Sequence, residues 1–317
     1  MVYEKWNSRN FPELIRDGNY ITIEELKTIR GLKPETVEYL SHNFDNYPKP
    51  VEFHITELTH VTNKSNFEKI WKSGGFKGFT DRNDIPWRHP VEPLSWWSLK
   101  INEENIRDAE QRYLEKKFPN RTQEQIAEQQ PFLREFTTSP SFKNETSRYG
   151  NFRFTIPLTN LMESYKRNVC DGKDPVLRVY QTKIYKQEIV YAVLVHSPQM
   201  NEKFQNYPEL TSDSQSLVFI QAGQIIWNAQ AICETHNNQL ILDEGMQKAT
   251  VTPTQLQERF YVWDHVSLAF HLAEGKVLPF FNPKIDYCKI DELNLSRESN
   301  CPYDEALELL KKLCGTQ

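Results

Sequence analysis

Three short blocks of this 317-residue chain bring together side chains able to do chemistry. His60-Val61-Thr62 closes a β-branched run and precedes a helical stretch that ends at Gly74-Gly75; Trp96 and Trp97 lie in the apolar block 94–99; Glu188 opens the run Ile189-Val190-Tyr191. An imidazole and a hydroxyl can hold the hydroxyls of a polar ligand. A tryptophan face can stack on a flat ring and exclude water, and a carboxylate can stabilise positive charge developing in a transition state. Each type also has a plain structural use: a hydrogen-bonded strand histidine, a solvated strand-end glutamate, a core tryptophan. Two other acid and histidine pairs, Glu234 with His236 and Asp264 with His265, offer acid–base chemistry. Neither accompanies a nucleophile motif such as GxSxG, and structural hydrogen bonding is the expected role of both. GxGxxG, GxxxxGK[ST] and HExxH are absent, so Rossmann, P-loop and zincin readings have no local support.

Taken in order, the blocks resemble the ADP-ribosyltransferase superfamily, particularly its PARP-like and DarT-like branches. That family's first motif, H-G-[ST] or H-x-T before a helix and a glycine, is matched by His60-Val61-Thr62, then Asn66-Phe67-Glu68-Lys69-Ile70, then Gly74-Gly75-Phe76. The second, an aromatic residue on a strand leading into a helix, is similar to 94–99, with Trp96 or Trp97 where tyrosine is usual. The third, a glutamate opening a strand, is matched by Glu188, 128 positions after His60 (188 − 60). The likeness covers residues 50–200. It implies NAD as substrate, no metal, and nicotinamide displacement through an oxocarbenium-like ribose stabilised by Glu188. It further implies His60 and Thr62 on ribose hydroxyls, the Val61 backbone on the carboxamide, and Trp96 or Trp97 against nicotinamide. Val61 for glycine and tryptophan for tyrosine depart from the polymer-forming pattern, so the expected activity is mono-ADP-ribosyl transfer to a protein or nucleic-acid acceptor, or NAD cleavage by a relative of such a transferase. A catalytically silent transferase-like binding module or immune scaffold is the alternative. The 94–99 block also resembles an uncharacterised group of fish proteins, which implies no activity.

These residues need strands to position them. Alternation and β-branched content predict strands near 51–62, 94–99, 153–158, 176–184, 188–196, 217–220, 240–242 and 266–271. Capping signatures predict a helix after Thr22, a second from Pro34, a third capped by Ser65 with Glu68 and stopped at Gly74, and a fourth after Asn102. Residues 119–148 are polar and read as a helix plus a mobile loop near 137–140. Helices followed by a strand-rich half indicate α+β, and the resemblance implies an ADP-ribosyltransferase-like split, mixed or antiparallel sheet with short helices. The expected organisation is an N-terminal helical extension and linker over 1–50, the α+β domain over 51–285 and a C-terminal helical tail over 286–317.

Composition narrows the partners. With 18 Phe, 14 Tyr and 7 Trp the chain can build a large core. Its net charge of −5 and lack of a basic stripe make nucleic acid an unexpected default partner. Residues 25–33 resemble a helix-hairpin-helix element, but Lys33 stands where a second glycine is required. Five cysteines without a CxxC pair point to reduced thiols rather than zinc or a disulfide framework. With neither a signal-like start nor a membrane-length apolar run, the expected location is cytoplasmic or nuclear, with no membrane partner.

Overall fold

The computed structural model describes residues 2–6, 12–29, 39–40, 46–79, 92–143, 145–147, 149–234, 237–254, 262–290 and 301–314. Two strands come first, β1 (Tyr3–Trp6) and β2 (Pro12–Asp17), then helix α1 (Ile23–Thr28). Strands β3 (Val51–His54) and β4 (Glu57–Thr62) lead into α2 (Lys64–Ser73) and β5 (Gly75–Lys77). After β6 (Leu94–Lys100) come α3 (Glu103–Lys117), α4 (Gln123–Ala127), β7 (Thr146–Ser147), β8 (Phe152–Pro157) and α5 (Leu158–Asn168). The hairpin β9 (Val176–Tyr185) and β10 (Glu188–His196) precedes α6 (Asn201–Phe204), β11 (Val218–Gln221) and β12 (Gln224–Ala229). The chain continues through β13 (Asn238–Asp243), β14 (Lys248–Pro253), β15 (Trp263–His271), β16 (Val277–Pro279), β17 (Lys284–Tyr287), β18 (Lys289–Ile290) and α7 (Tyr303–Cys314).

Local chemistry sets several boundaries. Thr22 and Glu25 cap α1 reciprocally, and Asn102 and Asn105 do the same for α3, each pair satisfying backbone N–H groups left open by the first turn. For α2 the cap is Asn63, which accepts from the Asn66 N–H, so Ser65 lies inside the first turn instead of before it. Gly74 ends this helix at φ +65°, a conformation that costs a residue without Cβ little.

The described strands build a nine-stranded sheet in the order β1-β2-β9-β10-β15-β6-β4-β8-β17. Its pairings are antiparallel except at the centre, where β10 and β15 run parallel. The fold is therefore mixed and sheet-dominated, with short helices. One face of the sheet carries the main core. There Phe67 of α2 stacks on Phe152 at 4.4 Å, and Tyr165 of α5 meets Phe270 edge-on at 5.3 Å, donating its hydroxyl to the His271 carbonyl. The three-stranded sheet β11-β12-β3 belongs to the same core through the buried Phe53 and Trp227.

The N-terminal residues depart from the expected helical extension. β1 and β2 lengthen the main sheet at the edge of β9, Tyr3 bonding Asp17 across the hairpin. The helix expected from Pro34 lies outside the described residues except for Tyr39 and Leu40, and Lys33 lies outside them too. Near 137–140, Ser139 is fully buried and its N–H bonds the Ile232 carbonyl, so this part of the polar stretch is anchored against the core. β17 spans the expected boundary at 285 and forms the far edge of the sheet.

Candidate functional site

His60, on β4, is brought beside Trp97. Its ring lies 5.4 Å from the Trp97 indole and 5.0 Å from Phe76, and its Nδ1 is 2.8 Å from the Trp96 carbonyl oxygen. A carbonyl only accepts, so Nδ1 carries the proton and donates. The backbone ladder between β4 and β6 ends at Thr59 and Ser98, and the His60 side chain supplies the next hydrogen bond. Burial lowers the His60 pKa, with the bond to Trp96 opposing it only in part, so the ring is held neutral. Thr62 is buried in the pairing with Phe152, its backbone pressed against Gly150.

Strand periodicity decides which of the other residues can join His60. Successive side chains leave opposite faces of a sheet, and directly paired residues share a face. Trp97 therefore points into the core with His60. Trp96 leaves the other face, half-buried, with Tyr180 at 6.1 Å and the Lys183 ammonium 5.5 Å from its ring. Val61 shares that second face.

Glu188 also belongs there. Ala192 pairs with Ser267, Ser267 with Ser98, and Ser98 with Thr59, so these four share one face, and Glu188, four positions before Ala192, shares it as well. His60, one position after Thr59, lies on the opposite side. Between β10 and β4 stand β15 and β6. Three strand spacings and about five residues along the strands separate the two Cα positions by roughly 20 Å. The structure thus gathers His60 with Trp97, and separates both from Glu188.

The partner of Glu188 is His265, on the parallel strand β15: Oε1 accepts from Nε2 at 2.8 Å, both residues being buried. Trp263 stacks on the imidazole at 5.3 Å with 27° between the ring planes. With Nε2 directed at the carboxylate, Nδ1 has no protein partner among the described residues. Asp264, adjacent in sequence, faces the core instead. Its carboxylate accepts from Trp227 Nε1 and from the Gln230 and Ala231 N–H groups, and burial pushes its pKa up to about 6 against those bonds. Glu234 bonds Lys143 and Gln187 near the surface, and His236 lies outside the described residues.

A row of short side chains crosses the second face next to this pair. Through direct pairing it runs Ala192, Ser267, Ser98, Thr59, Thr155 over strands β10, β15, β6, β4 and β8. Longer side chains flank it: Trp96, Val61 and Arg153 on one side, Lys183, His265, Lys100 and Glu57 on the other. The sequence carried two signals for this arrangement, the alternation of His265 and Ser267 with Val266 and Leu268, and the placement of Glu188 at the head of a buried run.

The chain matches no protein-family model, no curated protein and no solved structure. Among the described residues, no helix is long and apolar enough to cross a membrane, and no three His, Cys, Asp or Glu side chains are grouped to hold a metal ion.

Proposed function

We propose that this chain is a binding module with a transferase-like order of motifs, and that it does not transfer ADP-ribose from NAD using His60 and Glu188. One observation carries the reading: the two side chains leave opposite faces of the sheet, so no single ribose can touch both. Displacement of nicotinamide needs a carboxylate at the ribose that the imidazole orients, within hydrogen-bond reach of the same ligand. Here the His60 donor is engaged by the Trp96 carbonyl and its ring is packed against Phe76 and Trp97. The surface that remains for a ligand is the second face, where Trp96, His265 and the hydroxyl row lie together.

The deciding experiment is nicotinamide release from NAD, measured with and without cell-lysate acceptors, for the parent chain and for Glu188→Gln. The expected result is no release above the protein-free blank in either sample. Release that is present in the parent and falls about 10² to 10³-fold in Glu188→Gln, the usual effect of removing one electrostatic contribution to a transition state, would overturn the proposal and restore the transferase reading.

A further inference from the structure

Building on the binding reading above, we infer that the row Ser267, Ser98, Thr59, Thr155 on the second face is a site for an uncharged, polyhydroxylated ligand, a short saccharide. The row is floored by hydroxyls on four adjacent strands, which at 4.8 Å per strand gives a length of about 14 Å, roughly that of a di- or trisaccharide.

Three observations direct the choice of ligand. The first is Thr155: only 2% exposed, its Oγ1 has no hydrogen-bond partner, although a buried hydroxyl almost always finds one. A ligand hydroxyl beside it would satisfy both groups. The second is charge. Lys100 lies 3.9 Å from Glu57, Lys183 3.5 Å from Glu13, His265 2.8 Å from Glu188 and Lys284, which pairs with Thr155, 3.5 Å from Asp286, so these four groups each face a carboxylate, while Arg153 on the same face donates to the Thr146 carbonyl. A surface whose cations are mostly held by carboxylates suits a neutral ligand that both donates and accepts better than a phosphate. The third is Trp96, half-buried beside Ser98, which presents an aromatic body to the apolar face of a sugar ring, while the Nδ1 edge of His265 flanks Ser267.

The test uses the full chain and a panel of maltose, cellobiose and lactose, with NAD and ADP-ribose as phosphate-bearing comparators, read by thermal shift and tryptophan fluorescence. At least one disaccharide is expected to raise the melting temperature in proportion to its concentration and to perturb the fluorescence, while NAD and ADP-ribose do neither. Thr155→Val keeps the shape and removes the unpartnered hydroxyl. It should leave the ligand-free protein as stable as the parent or more so, yet weaken disaccharide binding about five- to tenfold. A role in folding alone would move stability and leave affinity untouched. Should Thr155→Val fold poorly, Ser98→Ala at the half-buried centre of the row provides the same comparison. The inference is overturned if no disaccharide binds, if the phosphate-bearing compounds bind at least as tightly, or if removing either hydroxyl leaves the affinity unchanged. Nicotinamide measured in the same NAD samples reports separately on the absence of NAD cleavage, so either reading can fail without the other.

Discussion

Replacing Asp264 with asparagine should make stability less sensitive to pH, by an amount that follows from its surroundings. The carboxylate is fully buried on the core face and accepts from Trp227 Nε1 at 3.1 Å, the Gln230 N–H at 3.0 Å and the Ala231 N–H at 2.7 Å. Burial raises its pKa from 3.8 to about 6; the three donors and His265 favour the charged form but do not outweigh it. A raised folded-state pKa means that the folded chain holds this proton more tightly than the unfolded chain. The corresponding stability is complete below pH 3.8 and is lost as the pH rises through about 6. A shift of about two units corresponds to about 3 kcal/mol. Asp264→Asn keeps the shape and an acceptor for the two backbone donors, but turns an amide N–H towards Trp227 Nε1. Its cost, about 1 to 3 kcal/mol, does not depend on pH. The variant should therefore gain about 2 kcal/mol relative to the parent between pH 4 and pH 7. Urea denaturation followed by circular dichroism at unit pH steps measures this difference. A constant difference, or one that moves the other way, would refute the argument and show that the three donors, not burial, set the protonation state.

Two further substitutions test how β4 is held. Gly150 sits at φ +147°, and a Cβ there would lie 2.2 Å from both the carbonyl carbon and oxygen of Thr62. Gly150→Ala should cost about 3 kcal/mol or more, and a thermal melt matching the parent would contradict this close approach. His60→Leu removes the N–H that bonds the Trp96 carbonyl and should cost about 2 kcal/mol. Because burial lowers the His60 pKa, the parent should lose stability as pH falls below 6.5 and through the folded value, and the variant should lack that decline. Urea midpoints at pH 5 and pH 7 separate the two; equal pH dependence would remove His60 from the explanation.

Much of the strand content was legible because it depends on local chemistry. β10 occupies 188–196 as expected, since a β-branched, apolar run buried at every position is what a central strand requires. The α3 cap at Asn102 and the αL glycine at 74 were readable for the same reason. Strand order was not. Placing Glu188 beside His60 assumes neighbouring strands and a common face, but β15 and β6 stand between, and one position along β4 is enough to reverse the face. Part of this was in the sequence: consecutive residues such as Trp96 and Trp97 must diverge in a strand, so only one of them can accompany His60. The pairing of Glu188 with His265 joins residues 77 positions apart, and no local signal specifies it. β1 and β2 were missed because short edge strands with few β-branched residues carry little pattern of their own and are fixed by the exposed edge of β9.

The parallel pair at the centre of the sheet has a consequence for how the chain is made. Among the described strands, only β15 joins β1, β2, β9 and β10 to β6, β4, β8 and β17, and it starts at Trp263, 75 positions (263 − 188) after the start of its partner β10. Closing a loop of that length costs about 4 kcal/mol in chain entropy before any pairing energy is gained. At about 5 to 20 residues per second, synthesis of the interval takes roughly 4 to 15 seconds. Throughout that time the β9–β10 hairpin can exist with the apolar edge of β10 unpaired, a template on which a second nascent chain can add. The seam of the finished sheet is thus an unpaired, aggregation-prone edge of the growing one until β15 emerges.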